Sequence, residues 1–499
     1  MNEVWVTPSD LASRVAAEVE AGASLLTLVG ADERATDGGF ATRVVLDAGG
    51  VTRTIASRLD GTSPRYPSIA ALVPAVHWDE REQRDLLGIV PEDHPDPRGL
   101  VLRAEWPDGL YPLRKDFDPS RVPAMPRHDT FAARTVAGED VVEIPVGPIH
   151  AGIIEPGHFR FSAVGETILH LDAQLFYTHR GLEKVAEGRP LDSALVVAER
   201  ACGACTVSHA GAFSIAAEQA LGIDVPPRAE WGRALLFELE RLYNHLGDAG
   251  NMCAGGGFAL GTMAGARMKE AVQRRLDALV GHRFGRGAIA VGGLRRDLPS
   301  DTLTDLWRDI RIWRSDLRDF RDLVLTANGI VDRMTRTGVL TRDAVIGLGA
   351  VGVAARASGV DRDVRRDRPY GAYGSLPVRV PTQTEGDTLA RFRQRLDEAL
   401  TSFDLIETLL ESPPTGLYRN AVPSNSGQPR TGIGVVESPR GLLTHWLRID
   451  ASGKIDRLRI RSASFANWPL VSLTAPGNLV PDFPLINKSF ELCYACTDR

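Results

Sequence analysis

Glu199-Arg200-Ala201-Cys202-Gly203-Ala204-Cys205-Thr206-Val207-Ser208-His209 is the stretch from which the rest of the chain is read. Two thiols three apart and an imidazole four further on share one face if this segment is helical. The C-terminal run Leu492-Cys493-Tyr494-Ala495-Cys496-Thr497-Asp498-Arg499 brings a second C-x-x-C. Four of the five cysteines thus form two matched pairs at opposite ends of a long intervening segment. The pairing predicts one thiolate metal site, closed by the end of the chain folding back onto the first pair. Four thiolates select zinc, iron in clusters, nickel or copper. A structural zinc site is the plainest alternative, but zinc ribbons place their two pairs about 15–20 residues apart. A thioredoxin-like redox pair would explain one C-x-x-C and not two.

Outward from this site, the composition narrows the class. A chain of 499 residues with 43% hydrophobic and 24% charged residues is ordinary for a globular protein and long enough for two or three domains. A formal net charge of -6, with no run of Lys or Arg, argues against nucleic acid as a partner. No apolar stretch is long enough for a membrane span. Met1-Asn2-Glu3-Val4 lacks the basic and apolar regions of a signal peptide. Five cysteines are too few for a disulfide framework and suit metal ligation in a reducing compartment. No glycine-rich strand–turn–helix fingerprint for a dinucleotide is present.

The patterning predicts an α+β chain. Residues 1–118 read as a small α/β domain. Thr7-Pro8-Ser9-Asp10 starts a helix whose apolar face is Leu11, Val15, Ala16 and Val19, with Gly22 at its end. Leu25 to Val29 and Arg43 to Leu46 are strand-like, and Gly49-Gly50 marks a hairpin into Val51 to Ile55. Residues 119–140, with Pro119, Pro123 and Pro126, read as a linker. Residues 141–499 form a mainly helical domain with peripheral strands. Leu303, Leu306, Ile310, Trp313, Leu317, Phe320 and Val324 recur at helical steps, as do Leu389, Phe392, Leu396, Ala399, Phe403, Ile406 and Leu410. The Arg/Asp alternation from Arg308 to Asp322 reads as a solvated face. Ile433 to Glu437, Leu442 to Ile449 and Ile455 to Ile460 read as strands.

Two sets of motifs resemble known families. Trp78-Asp79-Glu80-Arg81-Glu82-Gln83-Arg84-Asp85-Leu86-Leu87-Gly88-Ile89, then His94-Pro95 and Pro112-Leu113-Arg114-Lys115-Asp116, resemble the 30-kDa-type subunit of respiratory complex I. Taken alone the segment is a charged helix with a proline-rich exit loop. R-x-C-G-x-C-x-x-x-H, complete from Arg200 to His209, and the closing C-x-x-C resemble the large subunit of nickel–iron hydrogenases. The ending Cys-Thr-Asp-Arg is similar to the energy-converting, formate-hydrogenlyase-like branch, whose large subunit is homologous to the 49-kDa-type subunit of complex I.

The resemblance implies a Ni-Fe(CO)(CN)2 centre with Cys202 and Cys493 as terminal nickel ligands and Cys205 and Cys496 as bridges to iron. Cleaving dihydrogen heterolytically needs a base, which a metal-bound thiolate such as Cys496 can supply. By position, Glu155 resembles the acid that starts proton transfer. Arg440, with Pro439 beside it, resembles the guanidinium over the open metal position. His209 reads as a hydrogen-bond partner of a thiolate. Glu183 falls where many hydrogenases hold magnesium or a second iron, although Arg499 stands where their terminal His would be. Glu238-Leu239-Glu240-Arg241 and His245 read as structural, and Cys253 as a small buried residue.

With four cysteines committed, this chain has no ligand set for an iron–sulfur cluster. The implied partners are an iron–sulfur small subunit, a ferredoxin-like electron-transfer subunit, antiporter-like membrane subunits and maturation proteins. The implied place is the cytoplasmic face of the cell membrane. The rival reading is a quinone-binding and coupling role within a complex-I-like NADH:quinone oxidoreductase. That family carries G-P-x-H-P-x-x-H-G where this chain reads Gly147-Pro148-Ile149-His150-Ala151-Gly152-Ile153-Ile154, so one His matches and the second does not.

Overall fold

The computed structural model describes residues 3–102, 106–122, 133–150, 154–423 and 426–499. Its first layer is a four-stranded sheet in the order Glu3–Val6, Val51–Leu59, Gly39–Ala48, Ser24–Glu33, with the Leu11–Glu20 helix beside it. Ala48 faces Val51 across a two-residue turn. Both turn residues, Gly49 and Gly50, have positive φ (65° and 85°), which the tightest hairpins require and glycine alone adopts freely. Three of the four strands are antiparallel, and Glu3–Val6 joins in parallel.

The His77–Leu87 helix ends at Gly88 in the left-handed conformation. Asp79, Glu80, Arg81, Glu82 and Asp85 on it are all buried. A helix so charged is stable in an interior only if every charge finds a partner. Here they do. Glu80 accepts from Ser68 and from the Ile69 and Ala70 amides, and Asp85 accepts from the amides of residues 100 to 102.

Of the stretch read as a linker, Pro119–Arg121 makes one 3-10 turn, and residues 123–132, which include Pro123 and Pro126, lie outside the described residues. Val142–Val146 then opens a three-stranded antiparallel sheet with His158–Val164 and Thr167–Gln174. The body of the protein is helical. Pro227–Gly255 runs through its middle and packs against Ala259–Val280, Thr388–Glu411 and the short Phe483–Phe490 helix. Ser300–Leu325 buries Leu306, Ile310, Trp313, Leu317, Phe320 and Val324, each worth about 2 kcal/mol of apolar burial. Its charged face carries ion pairs to neighbouring helices, as in Arg314 with Asp404 and Glu407 of Thr388–Glu411. No helix of the described residues is long and apolar enough to cross a membrane.

Two features set up the site. The Arg430–Ser438 strand, first of an antiparallel trio with Gly441–Ile449 and Ile455–Arg461, lies directly on the Thr206–Leu221 helix. A Cβ at Gly434 would stand 1.8 Å from the Ala212 carbonyl oxygen, so no larger residue permits this approach. The apolar core also does not stop at residue 118. One cluster joins Leu11, Val44 and Leu86 of the first sheet layer to Phe159, Trp468 and Tyr494.

Candidate metal centre

Cys202 to Cys205 are not on one helical face. They form the turn that follows the Leu191–Glu199 helix, and the next helix begins only at Thr206. The turn aims the sulfurs inward. Cys202 Sγ accepts from the amides of Ala204 (3.2 Å) and Cys205 (3.3 Å). The tail repeats this geometry: Cys493 caps the Tyr494–Asp498 helix, and its Sγ accepts from the Cys496 amide (3.3 Å). Amide donors at a helix N-terminus favour a thiolate.

The two turns meet. Cys202 Sγ lies 3.1 Å from Cys493 Sγ, and the sulfurs of Cys202, Cys493 and Cys496 all fall within 4.8 Å of one another. Cys205 packs into the same cluster. All four are free thiols. Hydrogen bonds from the other three sulfurs hold the Cys202 thiol well below its usual range, and that same sharing pushes Cys205 and Cys493 up, while burial pushes Cys496 up. Cys202, Cys205 and Cys496 are buried and Cys493 is half-buried, and four sulfurs so placed can all be ionised together only against a cation. The donor set therefore fits a soft metal.

The surroundings keep this cluster in place. Tyr243 OH (2.7 Å) and Asn244 Nδ2 (2.8 Å) both donate to the Ala204 carbonyl. Glu240 caps the start of the Thr206–Leu221 helix through the Val207 and Ser208 amides and the Ser208 hydroxyl. Burial pushes its carboxyl up to about 8. His209 Nε2 lies 3.3 Å from Cys496 Sγ, and its Nδ1 lies 2.9 Å from His445 Nε2. Burial lowers His209 to about 4, so it is a neutral imidazole at neutral pH.

Pro439 and Arg440 are the two loop residues between Ser438 and Gly441, and both are buried. Arg440 donates to Asn244 Oδ1 (2.5 Å), Asp248 Oδ1 (3.1 Å) and the Glu491 carbonyl (2.9 Å). Among the described residues each terminal nitrogen has one such bond, which leaves a second N–H on each. Its charge acts on Cys205 and Cys202. Glu155 accepts from the Ala495 amide (3.2 Å), and burial pushes its carboxyl up. Its charge in turn acts on Cys493.

Over 489 residues, 96% of this chain and 85% of the relative, the chain is 37% identical to formate hydrogenlyase subunit 5 of Escherichia coli (strain K12). The chain belongs to that hydrogenase family. Models of three component families match along it: the 30 Kd subunit of respiratory-chain NADH dehydrogenase over residues 4–122, nickel-dependent hydrogenase over 180–247, and the NADH dehydrogenase 49 Kd subunit over 257–434 and 424–499. It is thus a fusion of the two complex-I-like parts. Relatives without hydrogenase in their names share the same frame. An NADH-quinone oxidoreductase component of Phocaeicola vulgatus is 32% identical over 82% of this chain and 81% of the relative. A chain in the structure of the membrane-bound sulfane sulfur reductase, an archaeal respiratory membrane complex, superposes with a TM-score of 0.69 at 28% identity, covering 72% of this chain and 99% of that one. These names are all of redox enzymes, and the chain is part of an oxidoreductase.

One expectation drawn from the hydrogenase resemblance does not fit. That resemblance puts magnesium or a second iron at Glu183. The Glu183 carboxylate instead accepts from Arg457 (2.8 Å), Arg459 (3.3 Å), Arg499 (3.2 Å) and the Ile460 amide (2.9 Å). Against the penalty of burial, the three guanidiniums bring it down to about 2. A divalent cation would have to enter a ring of positive charge and displace those donors. The cysteine cluster, not Glu183, is the group of metal-ligating side chains found among the described residues.

Several site residues escape a reading of the sequence. Glu240, which reads as structural along with its neighbours, holds the start of the helix that follows the first cysteine pair. Asn244, Asp248 and His445 match no motif. A signal exists for the first two. At about 100° per residue, Glu238, Glu240, Arg241, Asn244, His245 and Asp248 share one side of the Pro227–Gly255 helix, a polar stripe that sets Asn244 and Asp248 on one face with Glu240, and the structure buries all six. His445 sits in an apolar strand and gives none.

Proposed function

We propose that this chain is the catalytic subunit of a nickel–iron hydrogenase that interconverts dihydrogen with protons and electrons. The observation that carries this reading is the convergence of Cys202, Cys205, Cys493 and Cys496 in one largely buried cluster within a hydrogenase-family chain. Cys202 and Cys493 would be terminal nickel ligands, and Cys205 and Cys496 would bridge nickel to an iron carrying carbon monoxide and cyanide. Held there, such a pair of soft metals would supply the Lewis acidity that polarises dihydrogen. The chain's own groups do the rest. His209 donates Nε2–H to the Cys496 sulfur and holds it in one orientation. Arg440, whose charge acts on Cys205 and Cys202, would line the site with Pro439 beside it, and the second N–H on each of its terminal nitrogens suits the nitrogen of a diatomic anion. Glu155 exchanges a proton at its carboxyl with the Cys493 side of the cluster.

Electrons would pass to an iron–sulfur small subunit and a ferredoxin-like subunit, since Cys253 alone cannot hold a cluster. Antiporter-like membrane subunits would anchor the assembly at the cytoplasmic face of the membrane, and maturation proteins would load the metals. We divide the chain into a docking domain over 1–118, a linker over 119–140 and a catalytic domain over 141–499. The rival reading, quinone coupling without nickel, draws on the NADH-quinone oxidoreductase relatives. It offers no role for four converging thiols.

Metal analysis and infrared spectroscopy of the purified holoprotein decide between them. Nickel and iron together, with absorption bands of iron-bound carbon monoxide and cyanide, are expected. Zinc alone, or a metal-free protein whose activity responds to quinones, would end the hydrogenase reading.

A further inference from the structure

The charged helix of the N-terminal segment reaches the last side chain of the cysteine-bearing tail. Glu82 Oε1 accepts from Arg499 Nη2 (2.5 Å), and Glu82 Oε2 accepts from Arg459 Nη1 (2.5 Å). Arg499 Nη1 reaches the Glu183 carboxylate (3.2 Å) and the Ile460 carbonyl. Arg459 also donates to Asp79 (2.8 Å), and its guanidinium and that of Arg499 lie over the Phe465 ring. Glu82, Glu183, Arg459 and Arg499 are all buried. One wall of this socket is therefore built by the His77–Leu87 helix, 417 residues away in sequence from the group it receives.

The tail needs such an anchor. Tyr494–Asp498 is five residues long, far too short to be helical by itself. Its position is set by contacts along its length, among them Ser462 Oγ to the Cys496 carbonyl (3.0 Å) and Arg180 to the Ala495 carbonyl (3.0 Å). Upstream, the Cys493 amide donates to Ser464 and the Ala495 amide to Glu155. Downstream, Asp498 accepts from the Phe176 and Thr178 amides and the Thr178 hydroxyl, and Arg499 enters the socket. Among the described residues, Arg499 is the hydrogen-bond donor to Glu82 Oε1, and losing it leaves a buried carboxylate oxygen unsatisfied. The same holds for Arg499 Nη2 if Glu82 is lost.

We propose that Glu82 is a positioning residue for the metal centre: the N-terminal segment completes a socket for Arg499, and seating that guanidinium holds Cys493 and Cys496 against Cys202 and Cys205. Docking of the first layer and closure of the thiol cluster are then one linked equilibrium, each strengthening the other. Glu183, read from sequence as a metal ligand, is the opposite wall of the socket, with a guanidinium where a cation was expected. The inference concerns the seating of the tail and does not depend on which metal the thiols hold.

Hydrogen–deuterium exchange on the full chain tests it, read separately in peptides from 39–59, 77–87 and 483–499. Glu82→Gln is expected to speed exchange in the tail about tenfold while the sheet over 39–59 keeps its protection. Arg499→Met, which also removes the bonds to Glu183 and the Ile460 carbonyl, is expected to do at least as much, and the double variant to fall well short of the product of the two, because the Glu82–Arg499 contact is common to both. Unchanged tail protection in Glu82→Gln, or effects that multiply in the double variant, would overturn the assignment. Should Glu82→Gln fail to fold, Arg499→Met decides from the other side by loosening 77–87, and an unaltered 77–87 would overturn it. Cobalt(II), whose thiolate complexes absorb by charge transfer, is expected to bind Glu82→Gln about tenfold more weakly than wild type, and equal affinity would also count against the socket. Cobalt absorption absent from the wild type would instead count against the metal centre, with the exchange comparison still deciding the socket.

Discussion

The two C-x-x-C turns present sulfur in the same way and are held by largely different means, with Arg180 as a donor common to the Arg200, Ala201 and Ala495 carbonyls. The Cys202–Cys205 turn is embedded in the helical core, fastened by neutral donors from Tyr243 and Asn244 and capped by the largely protonated Glu240. The Cys493–Cys496 turn rides on a single helical turn and is fastened by ions, Asp498 to the 176–178 loop and Arg499 to Glu183 and Glu82. Packing pre-forms the first half of the centre. Charge pairing across distant segments seats the second. A buried ion pair is weak support for overall stability but fixes one arrangement against others, which suits a tail that must close in register with a partner already in place.

Removing sulfur from the ionic half should have the largest effect. Cys493→Ser is expected to abolish hydrogen turnover and metal loading while the N-terminal sheet stays folded by circular dichroism and proteolysis. Retained turnover would break the comparison, since the tail would then not belong to the centre. Next comes Glu155→Gln, which keeps the acceptor for the Ala495 amide but removes the titrating proton. A loss of about a hundredfold in turnover is expected, with metal content unchanged. Loss of metal along with activity would make Glu155 a structural clamp instead.

The packed half is probed through pH. The folded value of about 8 for Glu240 stands above its ordinary 4.5, so the folded protein keeps a proton that the unfolded chain gives up. Stability from this group is present in full below about pH 4.5 and is lost as pH rises through about 8. The thermal midpoint of wild type should therefore fall across this window by about 3 °C more than that of Glu240→Gln. Parallel curves would show that Glu240 is ionised and the capping charged. The smallest effect is expected from Tyr243→Phe, which removes one of two donors to the Ala204 carbonyl and costs about 1 kcal/mol in denaturant unfolding. An effect several times larger would mean that the first turn is not pre-formed by its packing.

Short-range patterns carried much of the fold. The Leu11–Glu20 helix, the Gly49-Gly50 hairpin, the Ser300–Leu325 and Thr388–Glu411 helices and the strand trio near the end follow from periodicity and turn chemistry, which act between neighbours in sequence. The expected common face for Cys202, Cys205 and His209 failed because the helix starts at Thr206. Helix boundaries depend on capping, and Glu240, one long helix further along the chain, decides this one.

The sequence by itself determined that the chain carries four cysteines in two C-x-x-C pairs and so a candidate ligand set, because thiol chemistry and spacing are properties of the residues themselves, and the tertiary structure brought the pairs together. Only the tertiary structure decided what surrounds them. Glu183 could hold a cation or a guanidinium, and Arg440 could lie at the surface or in the core. The charges of the His77–Leu87 helix could face solvent or an interior. Each of these outcomes depends on a partner tens to hundreds of residues away, since a buried charge is settled by what packs against it and not by its neighbours along the chain.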